Sequence, residues 1–237
     1  MRASVPMLLA ALVAVPAFAG DDERTDAMQK LQKADAVLQA SLSAPDKGIP
    51  QDLLDKAECV GVFPDVTKGA FIVGGQGGKG VFTCRDASGK MGAPAFYTIG
   101  GGSVGWQFGG EQTDLILLVM DKDGMKHLLK EKFTLGAEAS ATAGPVGRTA
   151  KAATDPTFKS QMLAWSRAQG AFVGASVDGS VVKPDDSRNV AVYGKGKDKH
   201  DDDAKVNVKA ILFDHSVAPP AEANAFLNTL NRSAARG

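Results

Sequence analysis

Cysteine and histidine are scarce in this 237-residue sequence, aromatic residues make up 6% of it, and neither sign of charge prevails. Each shortage removes a class of function. With 27 Lys and Arg against 27 Asp and Glu, no overall field draws the chain to polyanions. The basic residues are scattered among acids and form no stripe of the kind that follows nucleic acid, so no nucleic-acid partner is expected. The three histidines, His127, His200 and His215, stand in no recognisable catalytic or metal-binding motif. Few aromatics together with 27 glycines argue for tight turns and close backbone contacts rather than a bundle of long helices. The two cysteines leave room for one disulfide, Cys59 with Cys84. Each borders an apolar, strand-like run, and spacing alone leaves a bridge and two buried thiols equally open.

Long apolar runs are also missing beyond the first twenty residues. Arg2, the apolar stretch 5–15 and Ala17-Phe18-Ala19 follow the pattern of a cleavable secretory signal, with cleavage after Ala19. The stretch is well below the ~20 apolar residues that span a bilayer. No cysteine follows the cleavage site, so no lipoprotein anchor is expected. The reading is therefore a signal at 1–19 and a single domain at 20–237, periplasmic or secreted, in a compartment where thiols tend to pair. Loss of Arg2 leaves 26 basic residues against 27 acidic ones, a net charge of about −1.

What is present reads as helix, then strands, then helix. Met28, Leu31, Leu38 and Leu42, with Ala27 and Ala34, make a narrow apolar stripe over 21–42; Asp21, Asp22 and Glu23 suit that helix's N-terminal dipole, and Pro45 with Gly48 ends it. A short helix follows over 50–58. The period then changes. Residues 59–63 and 69–74 read as strands separated by Pro64-Asp65, 74–80 as a glycine hairpin turn, and 81–85, 95–99, 104–108 and 114–120 as further strands of a β-meander. A turn at 121–124 leads into a helical turn over 125–130, and the Ala- and Gly-rich segment 136–147 suits either helix or strand. Residues 158–167, 171–177 and 180–182 form a second hairpin system around Gln169-Gly170 and Asp178-Gly179. Segment 195–203 is a charged loop, 205–213 is helix or strand, and Pro219-Pro220 opens a last helix carrying Phe226, Leu227 and Leu230.

Three stretches imitate chemistry. Gly75-Gln76-Gly77-Gly78-Lys79-Gly80 has dinucleotide-binding spacing, but that motif must open a helix and the residues after it are strand-like. Gly101-Gly102-Ser103-Val104-Gly105 matches a nucleophile elbow, which also needs a helix where extended chain follows. His200-Asp201-Asp202-Asp203 are adjacent residues that cannot all turn to one ion, so a solvated loop is expected and no metal site.

The chain also resembles a known family. Val62-Phe63-Pro64, Lys68-Gly69-Ala70-Phe71-Ile72-Val73-Gly74, Pro94-Ala95-Phe96, the run 100–108, Thr113-Asp114-Leu115, Lys132-Phe133-Thr134-Leu135-Gly136 and Ala143-Gly144-Pro145-Val146-Gly147-Arg148 are similar to successive hallmarks of the SYLF domain. The runs 165–172 and 178–180 with Tyr193-Gly194 resemble its C-terminal half, and the likeness covers nearly all of 25–232. The resemblance implies an α+β fold, with an antiparallel β-meander or barrel-like sheet packed against N-terminal and C-terminal helices. It implies a non-catalytic module without cofactor that binds phospholipid or a membrane surface. In eukaryotic relatives the partners include phosphoinositides and filamentous actin; neither is expected in a bacterial periplasm. In those relatives an amphipathic N-terminal helix helps to engage membrane, whereas here the helix carries Arg24, Lys30 and Lys33 against five carboxylates, and its stripe reads as core.

Lipid contact is therefore expected at loops beside the glycine turns, where Lys68, Lys79, Arg85 and Lys90 would form a small cationic rim worth about 1 kcal/mol per residue at an anionic surface. Two rival readings remain: a structural or protein-interaction protein of the envelope, and a serine hydrolase using Ser103.

Overall fold

The computed structural model describes residues 19–44, 48–71, 73–103, 111–146, 160–168, 170–194 and 206–234. The signal segment 1–18, the expected strand 104–108, the loop 195–203 and His200 lie outside them. Helices α1 (Ala19–Leu42) and α2 (Gln51–Lys56) come first. Four long strands follow, β1 (Cys59–Phe71), β2 (Val73–Cys84), β3 (Ala95–Ser103) and β4 (Glu111–Val119). Next are α3 (Lys122–His127), β5 (Phe133–Thr134), β6 (Ala141–Ala143), β7 (Met162–Ala168), β8 (Ala171–Gly174) and β9 (Val181–Pro184). Helices α4 (Asp186–Tyr193), α5 (Val208–Leu212) and α6 (Asn224–Ala234) complete the order, with a 3₁₀ turn at Ala221–Ala223. The α+β fold class with helices at both ends is as the sequence implies.

One sheet joins all nine strands, in the order β5-β9-β3-β2-β1-β4-β7-β6, with β8 also paired to β7. Three local readings change. Pro64-Asp65 does not separate two strands: β1 runs through it with a register shift, Asp65 taking a positive φ of 54°. Residues 74–80 are not a turn but the first half of β2, paired on both sides, Gly77 opposite Thr67 and Gly100. The meander ends at three strands, because β4 pairs with the free side of β1, which gives a Greek-key order.

The strands read as continuous apolar runs because both faces of the sheet are buried. Val60, Val62, Val81, Phe96, Ile116, Leu118 and Trp165 face a layer made by α1, α2 and α6. On α1, Ala27, Leu31, Ala34, Leu38 and Ser41 are buried at helical spacing, so the stripe is core. The alternate residues Phe63, Phe82, Tyr97, Leu115, Leu117 and Val119 fill the other face with Leu128, Phe133, Ile211 and Leu212. Phe63, Phe82 and Tyr97 meet edge to face at 5.6 and 5.1 Å, and the Tyr97 hydroxyl donates to the Leu128 carbonyl at 2.6 Å. Cys59 and Cys84 stand opposite each other on β1 and β2 and are joined by a disulfide in this layer.

In the last third, β7 and β8 form the expected hairpin around Gly170, at φ 85°. β9 departs from it to pair with β3 and β5. Segment 205–213 resolves to α5, capped by the Asn207 side chain accepting from Lys209 N–H. Helix α4 was not expected, though Asp185 supplies a side-chain N-cap to Arg188 N–H after Pro184. It pins two layers together. Asn189 exchanges hydrogen bonds with both backbone groups of Phe96, at 2.9 and 3.0 Å, continuing the ladder where β9 stops.

Candidate functional site

The four cations expected to share a rim do not come together. Lys68 pairs with Gln76 at one end of the β1–β2 ribbon, whereas Arg85 lies about 30 Å further along β2 at ~3.3 Å per residue. Arg85 is committed to the fold: its guanidinium donates to the carbonyls of Leu54 (3.0 Å), Ala57 (2.9 Å) and Gly89 (2.7 Å), closing the C-terminus of α2. Burial pushes its pKa down, against the pull of Asp55 and Glu58. Lys90 is exposed in a turn organised by Asp86, whose carboxylate accepts from the Ser88 and Lys90 N–H groups. Lys79 is exposed on β2, in register with Thr98.

The cations of α1 are engaged as well. Lys33 donates to Asp65 at 2.6 Å, Lys30 lies 3.6 Å from the same carboxylate, and Arg24 bonds Glu222 at 3.3 Å. The Lys33 hydrogen bond holds the Asp65 carboxyl below its usual range, against burial, and raises Lys33 in return. Asp114 accepts from Asp65 N–H at 3.2 Å and from Arg167 Nε at 2.8 Å, and Arg167 stacks over the Phe172 ring. These contacts fasten α1 to the bulge of β1 and onward to β4 and β7.

Register builds a different constellation. Lys79 faces Thr98 and Thr98 faces Lys183, so the three side chains form one row across β2, β3 and β9 on the same face. Thr98 and Lys183 are the floor of a groove of about 670 Å³. The turn after α3, from Leu129 to Lys132, is one wall; the start of α4, with Asp186 and Ser187, is another; Val206 and Val208 close the end. Lys130 bonds Glu138 at 3.0 Å, and Asp185 is taken up by Arg188 at 2.6 Å. The groove thus presents cations and carboxylates together beside apolar side chains. At its mouth Leu129 is 40% exposed, and only Val173 joins it as an exposed large hydrophobic among the described residues. The composition around residues 126–132, four lysines or histidines and one acid about two leucines, was the available sequence signal; it stood outside the glycine turns and went unused.

Neither catalytic imitation finds its context. Gly75 to Gly80 are strand residues of β2, and Gly101, Gly102 and Ser103 are strand residues of β3 paired with Gln76, Gly75 and Gly74. Among the described residues no three His, Cys, Asp or Glu side chains group around a metal position, and no helix is long and apolar enough to cross a membrane. Burial and the nearby Lys130 charge lower the pKa of His127, which packs on Phe133.

This is the SYLF architecture, and sequence comparison agrees. The profile of the family described as Ysc84, Las17-binding protein actin regulator, matches residues 100–233, more than half of the chain. The chain belongs to this Ysc84 (SYLF) family. It is similar to LAS seventeen-binding protein 3 of Saccharomyces cerevisiae, 32% identical over 152 residues, 63% of this chain and 33% of that protein. Protein YSC84 of the same yeast is 31% identical over 152 residues, 63% of this chain and 32% of its own length. SH3 domain-containing YSC84-like protein 1 of Rattus norvegicus is 28% identical over 192 residues, 81% of this chain and 53% of that protein. The chain therefore spans about a third to a half of the curated relatives it matches.

Proposed function

We propose that the protein is a non-enzymatic module that binds phospholipid surfaces in a bacterial cell envelope, reaching it by export and cleavage after Ala19. The observation that supports this most is the corner after α3, where exposed Leu129 stands among Lys126, Lys130 and Lys132. An apolar tip ringed by lysines inserts at a headgroup boundary while its cations, at about 1 kcal/mol each, meet anionic lipid. Lys79 and Lys183 extend the same basic face along the sheet. Helix α1 is given no part in this, because its stripe is already core.

Co-sedimentation of the exported protein with phosphatidylcholine vesicles and with vesicles carrying phosphatidylglycerol tests the reading. Pelleting is expected to rise with anionic lipid and fall with salt, and Leu129→Glu is expected to weaken it about tenfold at unchanged melting temperature. No pelleting with any composition at low salt would leave the rival reading of a protein-interaction module. That rival is favoured by the yeast relative's own name, which states binding to Las17.

A further inference from the structure

The groove behind Leu129 carries both signs of charge, and its chemistry narrows what it would hold. A bare anion entering it would meet the carboxylates of Glu131 and Asp186; a bare cation would meet Lys132 and Lys183. Lys130 and Asp185 matter less, since each is already bonded to a partner of opposite charge. A dipolar ligand satisfies both sets at once. Lysine ammoniums are mobile point charges suited to phosphate oxygens, and the Thr98 hydroxyl, in register with Lys183, adds a neutral donor on the floor. Carboxylates across the groove accept hydrogen bonds only from a ligand nitrogen that carries N–H. Leu129, Val206 and Val208 offer an apolar wall to the carbon that follows the phosphate.

We propose that this groove binds a phosphate-bearing zwitterion of the phosphoethanolamine type, with the phosphate on Lys132, Lys183 and Thr98 and the primary ammonium on Glu131 and Asp186. The proposal deepens the lipid-surface reading and rests on it, by naming the headgroup. The same chemistry is offered by a phosphatidylethanolamine headgroup and by free phosphoethanolamine. A quaternary choline, which has no N–H to donate, fits the carboxylate side less well.

The test is an amide chemical-shift titration of the full chain, exported and ¹⁵N-labelled, with O-phosphoethanolamine, phosphocholine, inorganic phosphate and dihexanoyl-phosphatidylethanolamine. Saturable shifts are expected at Thr98, Lys132, Lys183 and Asp186, with phosphoethanolamine binding about tenfold more tightly than phosphocholine, the size of one charged hydrogen bond. Lys132→Gln with Lys183→Gln is expected to weaken binding by about tenfold or more. Asp186→Asn should retain phosphate binding while losing the preference for ethanolamine over choline; spectra of each variant report whether the fold is intact. Absence of shifts at the groove, equal affinity for the two headgroups, or an unaffected double variant would overturn the proposal. If vesicles pellet while the groove stays silent, the zwitterion site falls and the lipid-surface reading stands. If phosphoethanolamine fills the groove and no vesicle pellets, the lipid-surface reading falls and a soluble ligand is indicated. Dihexanoyl-phosphatidylethanolamine binding more tightly than phosphoethanolamine assigns the lipid source.

Discussion

Arg188 on α4 donates through Nε, at 3.0 Å, and through Nη2 to the carboxylate of Asp26 on α1, while its Nη1 holds Asp185 at 2.6 Å. Only 5% of the arginine side chain is exposed, and Asp185 is 7% exposed. Two segments at opposite ends of the chain are thereby locked together over the sheet.

Removing this arginine leaves the buried Asp185 without its cation. Arg188→Ala is expected to lose about 3 kcal/mol in urea denaturation, at the low end for orphaning a buried ionic partner because Asp26 can turn to water. Arg188→Lys should recover less than half, since one ammonium cannot bridge both carboxylates as the guanidinium fork does. A full rescue by lysine would mean that charge alone, without the fork, holds α1 to α4.

Acid should loosen α1. Burial would raise the Asp26 carboxyl, but the hydrogen bond and charge of Arg188 outweigh it and hold it low; at Asp65 the Lys33 hydrogen bond leads, with burial opposing. Both groups bind protons less readily folded than unfolded. Their stabilisation is therefore present above the ordinary aspartate value of about 3.9, and it is lost as pH falls from there through the lower folded values. Melting temperature should be level near pH 6 and drop below pH ~4. Asp26→Asn with Asp65→Asn should flatten that acid limb, and an unchanged slope would place the sensitivity in other carboxylates.

The disulfide closes a loop with a sequence separation of 25 residues. On the chain-entropy account this is worth about 3.5 kcal/mol. Cys59→Ala with Cys84→Ala should therefore shift the urea midpoint down, and a reductant should shift the unmodified chain similarly while leaving the double variant unmoved. A reductant effect that persists in the double variant would rule out the bridge as its cause.

Gly61 sits in β1 beneath the Phe82 ring, where an added Cβ has no room. Gly61→Val raises strand propensity yet should destabilise by about 1–3 kcal/mol through overpacking. Thermal unfolding checks this, and a neutral or stabilising result would show that the Phe82 ring can move aside.

Element types were largely legible wherever a period had room to repeat. The 27, 31, 34, 38, 41 stripe of α1 and the apolar runs of β4 and β7 signal themselves, because a helix or strand buried against a layer must repeat its apolar residues. Residues 74–80 misled for a physical reason. Glycine marks turns by its freedom at positive φ, yet here it serves close approach, Gly80 lying against the Phe63 ring, a requirement that only the neighbouring strand imposes. Pro64-Asp65 misled similarly, since a bulge and a turn use the same residues and differ only in what lies opposite.

By itself the amino-acid sequence determined the family, the α+β class, the apolar faces and the charge balance, all of which depend on residue order and local periodicity. Tertiary structure alone decided that Cys59 meets Cys84, that Arg85 is spent on helix carbonyls, and that Lys79, Thr98 and Lys183 form one row. Each depends on strand register between segments as many as a hundred residues apart. A shift of one residue in that register would turn every one of those side chains to the opposite face.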